Sequence, residues 1–192
     1  MKNKIIEAIQ QSIQVKSDLL ADSILIGKIQ IVARKIIECY RNDGKVLFCG
    51  NGGSAADAQH LAAELSGRFY YDRPPLYAEA LHVNSSYLTA VANDYSYDEV
   101  FARLVKGMGR KGDMIIGIST SGNSSNILKA FEAAKSLDIT TVGLTGANGG
   151  NMKYHSDYLI DIPSTDTPRI QESQIMIGHI LCQIVESELF PR

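Results

Sequence analysis

Apolar residues recur at helical spacing over residues 4–20, where Ile5, Ile6, Ile9, Ile13 and Leu20 fall near one face. A second helical pattern runs from about Ile24 to Tyr40 and meets Asn42-Asp43-Gly44, a C-cap and turn signal. There the period changes. Short apolar runs at Lys45–Cys49, Tyr77–Val83, Asp113–Ile118, Thr140–Leu144 and Tyr158–Ile162 predict strands. Helical patterns fill the gaps, near Ala55–Ser66, Ser85–Asn93 continuing to Glu99–Met108, and Asn123–Ser136, and a last helix runs from about Arg169 to Leu189. This alternation predicts an α/β fold in three layers, with about five parallel strands doubly wound and the ligand at their carboxyl ends. Two helices before the first strand exceed what a minimal α/β unit needs. Their apolar stripes call for a partner, and another subunit is one candidate. The chain therefore divides into oligomerisation helices at 1–40 and an α/β core at 41–192, within one domain spanning 1–192.

Two segments share the order strand, Gly/Ser loop, helix: VLFCGNGGSAADAQHLAAEL at 46–65 and MIIGISTSGNSSNILKAFEAA at 114–134. Loops of this kind aim backbone N–H groups and hydroxyls at an anion on a helix N-terminus. Neither carries the Gly-Lys-Ser/Thr of a nucleotide P-loop or the GxGxxG of a dinucleotide site, which points to a small phosphorylated molecule. In the second loop, Ser119, Thr120, Ser121 and Ser124 place four hydroxyls within six residues. An ordinary helix cap needs only one. In the first, Asn51 is followed by Gly52 and Gly53, and the glycines permit close backbone approach to a ligand.

His60 and Glu64 stand four apart on the helix that leaves the first loop, hence on one face. The pair suits a divalent transition metal or acid/base work, and a solvated polar stripe is the plainer alternative. The last helix carries Gln171 and His179. Eight residues of straight helix span about 12 Å and turn by about 80°, so these two cannot reach one ion from a single regular helix. Either the helix begins after Gln171 or the two come from different subunits. His82 and His155 have no partner by spacing and are set aside.

The formal charge of −2, from 19 Lys and Arg against 21 Asp and Glu, gives no reason to expect a nucleic-acid surface. No apolar run is long enough to span a bilayer, and the N-terminus lacks the features of a signal peptide. The expected compartment is the cytoplasm. Cys39, Cys49 and Cys182 form no CxxC pair and read as reduced core residues.

Taken together, GNGGSAADAQHLAAELSGR, AVANDYSYDEVF, GISTSGNSSN, LTGANGG and PRIQESQIMIGHIL resemble, in order, the phosphoheptose isomerases of the sugar isomerase (SIS) fold. The loops occur across the wider SIS superfamily, whereas the set His60, Glu64, Gln171 and His179 is specific to this family. The resemblance implies conversion of sedoheptulose 7-phosphate to D-glycero-D-manno-heptose 7-phosphate, an early step towards ADP-heptose for lipopolysaccharide cores or capsules. It implies a homotetramer with intersubunit sites and one Zn2+ per subunit, bound by His60, Glu64, Gln171 and His179. Substrate contacts by the same resemblance are Asn51, Gly52, Gly53, Glu64, Asn93, Asp94, Ser119, Thr120, Ser121, Ser124 and Gln171, with Arg68 a further candidate. Aldose–ketose isomerisation needs a base and an acid, and Glu64 and His179 take these roles. The competing readings are a non-catalytic SIS regulator of the replication initiator, an isomerase of another phosphosugar, and a sugar-phosphate sensor.

Overall fold

The protein is described from a computed structural model of residues 1–192. Two helices come first, α1 (Lys2–Ala21) and α2 (Ser23–Arg41). Asp22 separates them, because its carboxylate accepts the free N–H groups of Ile24 (3.0 Å) and Leu25 (2.9 Å) and so starts α2. Then β1 (Val46–Gly50), α3 (Gly53–Ser66), β2 (Ala78–Ala80), α4 (Ser85–Asp94) and α5 (Val100–Met108) follow. The remainder is β3 (Met114–Ser119), α6 (Ser125–Lys135), β4 (Thr140–Thr145), α7 (Met152–His155), β5 (Tyr158–Asp161) and α8 (Thr167–Leu189).

All five strands pair in parallel in the order β2-β1-β3-β4-β5. Every residue of β1 and β3 is buried, as expected of central strands covered on both faces. One apolar cluster lies on the α2, α3 and α8 side, and a second lies under α4, α5 and α6. These are the two helical layers of a doubly wound fold. From β1 the chain adds β2 on one side and β3 on the other, so the winding of the sheet reverses between β1 and β3, and the crevice at their carboxyl ends is where this architecture receives ligands.

Several local features differ from the pattern-based expectation. The stretches expected at Ser85–Asn93 and Glu99–Met108 are α4 and α5, and the feature added between them is a 3-10 turn at Tyr97–Glu99. β2 is three residues long, as suits an edge strand. The short α7 went unexpected; it is anchored by buried Met152. α8 begins at Thr167, with Pro168 in its first turn, and is helical through Gln171. The stripe expected on α1 does not enter the core. Ile5, Ile6, Ile9, Ile13 and Leu20 are all exposed, and only Val15 and Leu19 of that helix are buried. No helix is long and apolar enough to cross a membrane.

Candidate active site

The two Gly/Ser loops meet at the switch point. Asn51, just after β1, and Asn126, in the first turn of α6, exchange side-chain amide bonds in both directions at 2.9 Å. Tyr97 donates its hydroxyl to Asn51 Oδ1 at 3.0 Å, which brings the α4–α5 connection to the same place. Each amide thus gives the other one donor and one acceptor.

In the second loop the hydroxyls face one another. Ser119 Oγ lies 2.9 Å from Ser124 Oγ and 3.4 Å from Ser121 Oγ. Ser124 occupies the N-cap of α6 but makes no side-chain cap bond, so the helix start is not closed in the ordinary way. Gly122 has φ +66°, and a Cβ there would strike the carbonyl of Gly149. The 146–150 segment braces the loop from behind, with Gly146 donating to Thr120 O (3.0 Å) and Met152 to Gly122 O (2.9 Å). The first loop likewise starts α3 without a side-chain cap, from Gly52 at φ +57°.

α3 and α8 run side by side in the same direction. Gln171 lies over Gly53, where a Cβ would come within 2.8 Å of its amide nitrogen. One turn or two further on, Gly178 admits Leu61, whose methyl groups would lie 2.6 Å from a Cβ at that position. This close approach sets His60 Nε2 2.9 Å from His179 Nε2 and, along α3, 3.3 Å from Glu64 Oε1. Glu64 is 23% exposed at its side chain and His60 49%. Asp57, half-buried a turn before His60, has its carboxyl raised above the ordinary range by burial, against the opposing pull of His60 and His179.

Of the four candidate metal ligands, His60, Glu64 and His179 thus converge within one chain. Gln171 does not join them. It sits eight residues away on a continuous helix, about 12 Å along its axis. The alternative in which α8 begins after Gln171 is therefore excluded. No three His, Cys, Asp or Glu side chains of the chain already stand in metal-holding geometry. The donor chemistry nonetheless fits zinc. Two imidazole nitrogens facing each other at 2.9 Å require a proton or a cation between them, and a carboxylate adjoins.

Asn93 and Asp94 end α4, exposed, and their only side-chain bond is Asn93 Nδ2 to Asp94 Oδ1 at 2.9 Å. Asp94 does not cap the following turn; the segment reaches the crevice through Tyr97. Arg68 is exposed just beyond α3. His155 is held by Asn151 O at 3.0 Å and Glu132 at 3.4 Å, away from the site. All three cysteines are free and buried, and burial raises the Cys39 thiol to about 11 and that of Cys182 to about 12. Sequence reasoning did not single out Asn126 or Tyr97, although both lie inside the quoted motifs.

The SIS domain family matches residues 2–146. A phosphoheptose isomerase of Aneurinibacillus thermoaerophilus is 55% identical over 190 residues, covering 99% of this chain and 96% of that protein. The chain belongs to the phosphoheptose isomerase family. Solved structures agree. The phosphoheptose isomerase of Neisseria gonorrhoeae superposes with TM-score 0.90 at 41% identity, over 97% of this chain and 98% of that one. That of Francisella tularensis does so with TM-score 0.92 at 38% identity, over 96% and 97%. The family fold is therefore present end to end, N-terminal helices included.

Proposed function

We propose that this chain is an aldose–ketose isomerase converting sedoheptulose 7-phosphate to D-glycero-D-manno-heptose 7-phosphate. The observation that carries this reading is the meeting of Glu64, His60 and His179 on two parallel helices of a chain in this family. A non-catalytic regulator has no use for such a set. Glu64 removes the proton bound to carbon, and His179 delivers a proton to the carbonyl oxygen as the enediolate forms. His60, Glu64 and His179 would hold a zinc ion, one per subunit, and when bound it would supply Lewis acidity towards the sugar's oxygens.

The sugar phosphate docks in Ser119–Ser124, where hydroxyls and the open start of α6 receive a dianion. Thr120 lies in the same cradle, and Asn51, Gly52, Gly53, Asn93, Asp94 and Arg68 contact the sugar. Glu64 lies eleven residues beyond Gly53, about 16 Å along α3. That exceeds the reach of one extended heptose phosphate, which favours a site shared between subunits, with Gln171 supplied across the interface. The exposed isoleucine stripe of α1 supports assembly of copies into a homotetramer. The product feeds lipopolysaccharide or capsule heptose in the cytoplasm.

The deciding experiment assays sedoheptulose 7-phosphate with metal-stripped and zinc-restored protein. Product only with zinc is expected. Equal rates would remove zinc from turnover, and no product from a folded oligomer would sink the reaction assigned here. Ser121→Ala and Ser124→Ala are expected to raise KM about tenfold with a smaller change in kcat, since each removes a donor about 1.4 kcal/mol strong or more to a dianion. Unchanged KM with lost kcat would move the phosphate elsewhere.

A further inference from the structure

Beneath the acid/base cluster lies a buried ion pair that the reaction as described does not use. Arg73 and Glu186 have side-chain exposures of 2% and 1%, and Arg73 Nε lies 3.1 Å from Glu186 Oε1. Both terminal guanidinium nitrogens donate to main-chain carbonyls. Nη2 donates to Glu64 O at 2.9 Å, and Nη1 to Leu65 O at 2.7 Å, Gly67 O at 3.2 Å and Pro74 O at 3.1 Å. The carbonyls of Glu64 and Leu65 are in the last turn of α3 and lack intrahelical partners, and Gly67 lies just past it. The Glu186 carboxylate in turn accepts the N–H groups of Phe69 (2.9 Å) and Tyr70 (2.7 Å). Burial alone would raise its pKa, but these amides and Arg73 hold it below the ordinary carboxylate range.

The placement of these bonds is selective. Glu186 follows His179 by seven residues, two turns, so both lie on nearly the same face of α8. Arg73 grips the backbone of Glu64 itself. Gly67 O and Phe69 N, one bound to each partner of the pair, bracket Arg68 on either side. The Phe69 ring packs against His179, with centroids 5.7 Å apart. Glu64, Arg68 and His179 come from two helices and a loop, and one ion pair touches the backbone or packing of all three.

We infer that Arg73 and Glu186 are positioning residues that lock α3, the Arg68 loop and α8 in the register the proton-transfer cluster requires. This rests on the isomerase reading above. A pair kept only for stability has no need to converge there, because buried ion pairs are often replaceable by apolar side chains without loss of stability.

Three proteins are compared: wild type, Glu186→Gln, and the double variant Arg73→Met with Glu186→Leu. Melting temperature, steady-state kinetics on sedoheptulose 7-phosphate and zinc affinity by chelator competition are measured for each. Glu186→Gln is expected to lower kcat about 10- to 100-fold, with KM held within about threefold, because the phosphate cradle is untouched. Zinc affinity is expected to fall about 10- to 100-fold, as when outer-shell partners of ligands are removed. The apolar double variant is expected to melt below wild type, because the carbonyls held by Arg73 and the amides held by Glu186 lose their partners, yet to stay folded at the assay temperature and to recover neither turnover nor zinc affinity. A stable double variant with wild-type turnover and zinc affinity would overturn the assignment, as would a folded Glu186→Gln with both unchanged. If Glu186→Gln fails to fold, the double variant decides. Should wild type leave sedoheptulose 7-phosphate unchanged, the reaction is wrong, and the zinc affinities alone decide whether the pair sets the cluster's register.

Discussion

Glu64→Gln is expected to lower kcat by about 10³-fold or more, at the upper part of the range for loss of a general base. The substitution keeps side-chain size and the contact with His60, which lies 3.3 Å from the carboxylate. It removes the capacity to accept a proton, together with the negative charge that would help to hold zinc. KM is expected to move little, because the phosphate cradle proposed above, Ser119–Ser124, lies between β3 and α6 and Glu64 is no part of it. Two roles compete at Glu64. A carboxylate bound to zinc would be a weaker base than a free one, so the two proposed roles of Glu64 pull against each other. Zinc content and turnover therefore need measuring on the same preparation. Exchange of the substrate's carbon-bound proton with deuterated solvent isolates the base step, and it is expected to vanish with turnover. Retained turnover in a zinc-free Glu64→Gln protein would end the assignment of Glu64 as base. His179→Gln is expected to lower turnover by a similar factor, because it faces the same proton path from α8.

The sheet was legible because parallel strands buried on both faces leave continuous apolar runs, and each observed strand falls largely within an expected one. Helix ends were less legible. α6 starts at Ser125, two residues after the expected Asn123, because the chain first turns through Gly122 at positive φ and the Ser124 hydroxyl faces Ser119 instead of capping. The loops and the His60–Glu64 pair are local in sequence, so spacing alone exposed them. The Asn51–Asn126 pair joins residues 75 apart, and only the β1–β3 neighbourhood brings them together. Arg73 and Glu186, 113 apart, are harder still. Each sits in a polar stretch, YYDRPP and ESEL, that reads as solvent-facing. Burial of a charge depends on carbonyls and amides that no side-chain pattern records. The α1 stripe carries the opposite lesson. Its helical period was read correctly, but periodicity does not say whether the face meets this chain's core or another copy.

Phe131→Ala is expected to destabilise the fold by about 3–5 kcal/mol, the range for deleting a fully buried aromatic ring. Phe131 is 0% exposed in the cluster beneath α5 and α6. Its ring occupies the space above Gly117 of β3, where a Cβ would come within 2.7 Å of the ring edge. Ring and glycine together let α6 lie close on the strand, and the start of α6 is the phosphate cradle proposed above. The cavity left by truncation has Gly117 as its floor, so no side chain from the strand can refill it. The melting temperature is expected to drop by about 6–20 °C, taking about 2–4 °C per kcal/mol for a chain of this size. Measurements belong at fixed protein concentration, since assembly of copies would add concentration-dependent stability. Binding of inorganic phosphate, well below the new melting point, separates two consequences. Affinity within about twofold of wild type means that α6 keeps its seat and the damage is confined to the core. A larger loss means that the helix has shifted on β3 and carried Ser124 away from Ser119. The second outcome is expected, because the 2.9 Å contact between those hydroxyls spans the strand–helix junction that Phe131 holds shut.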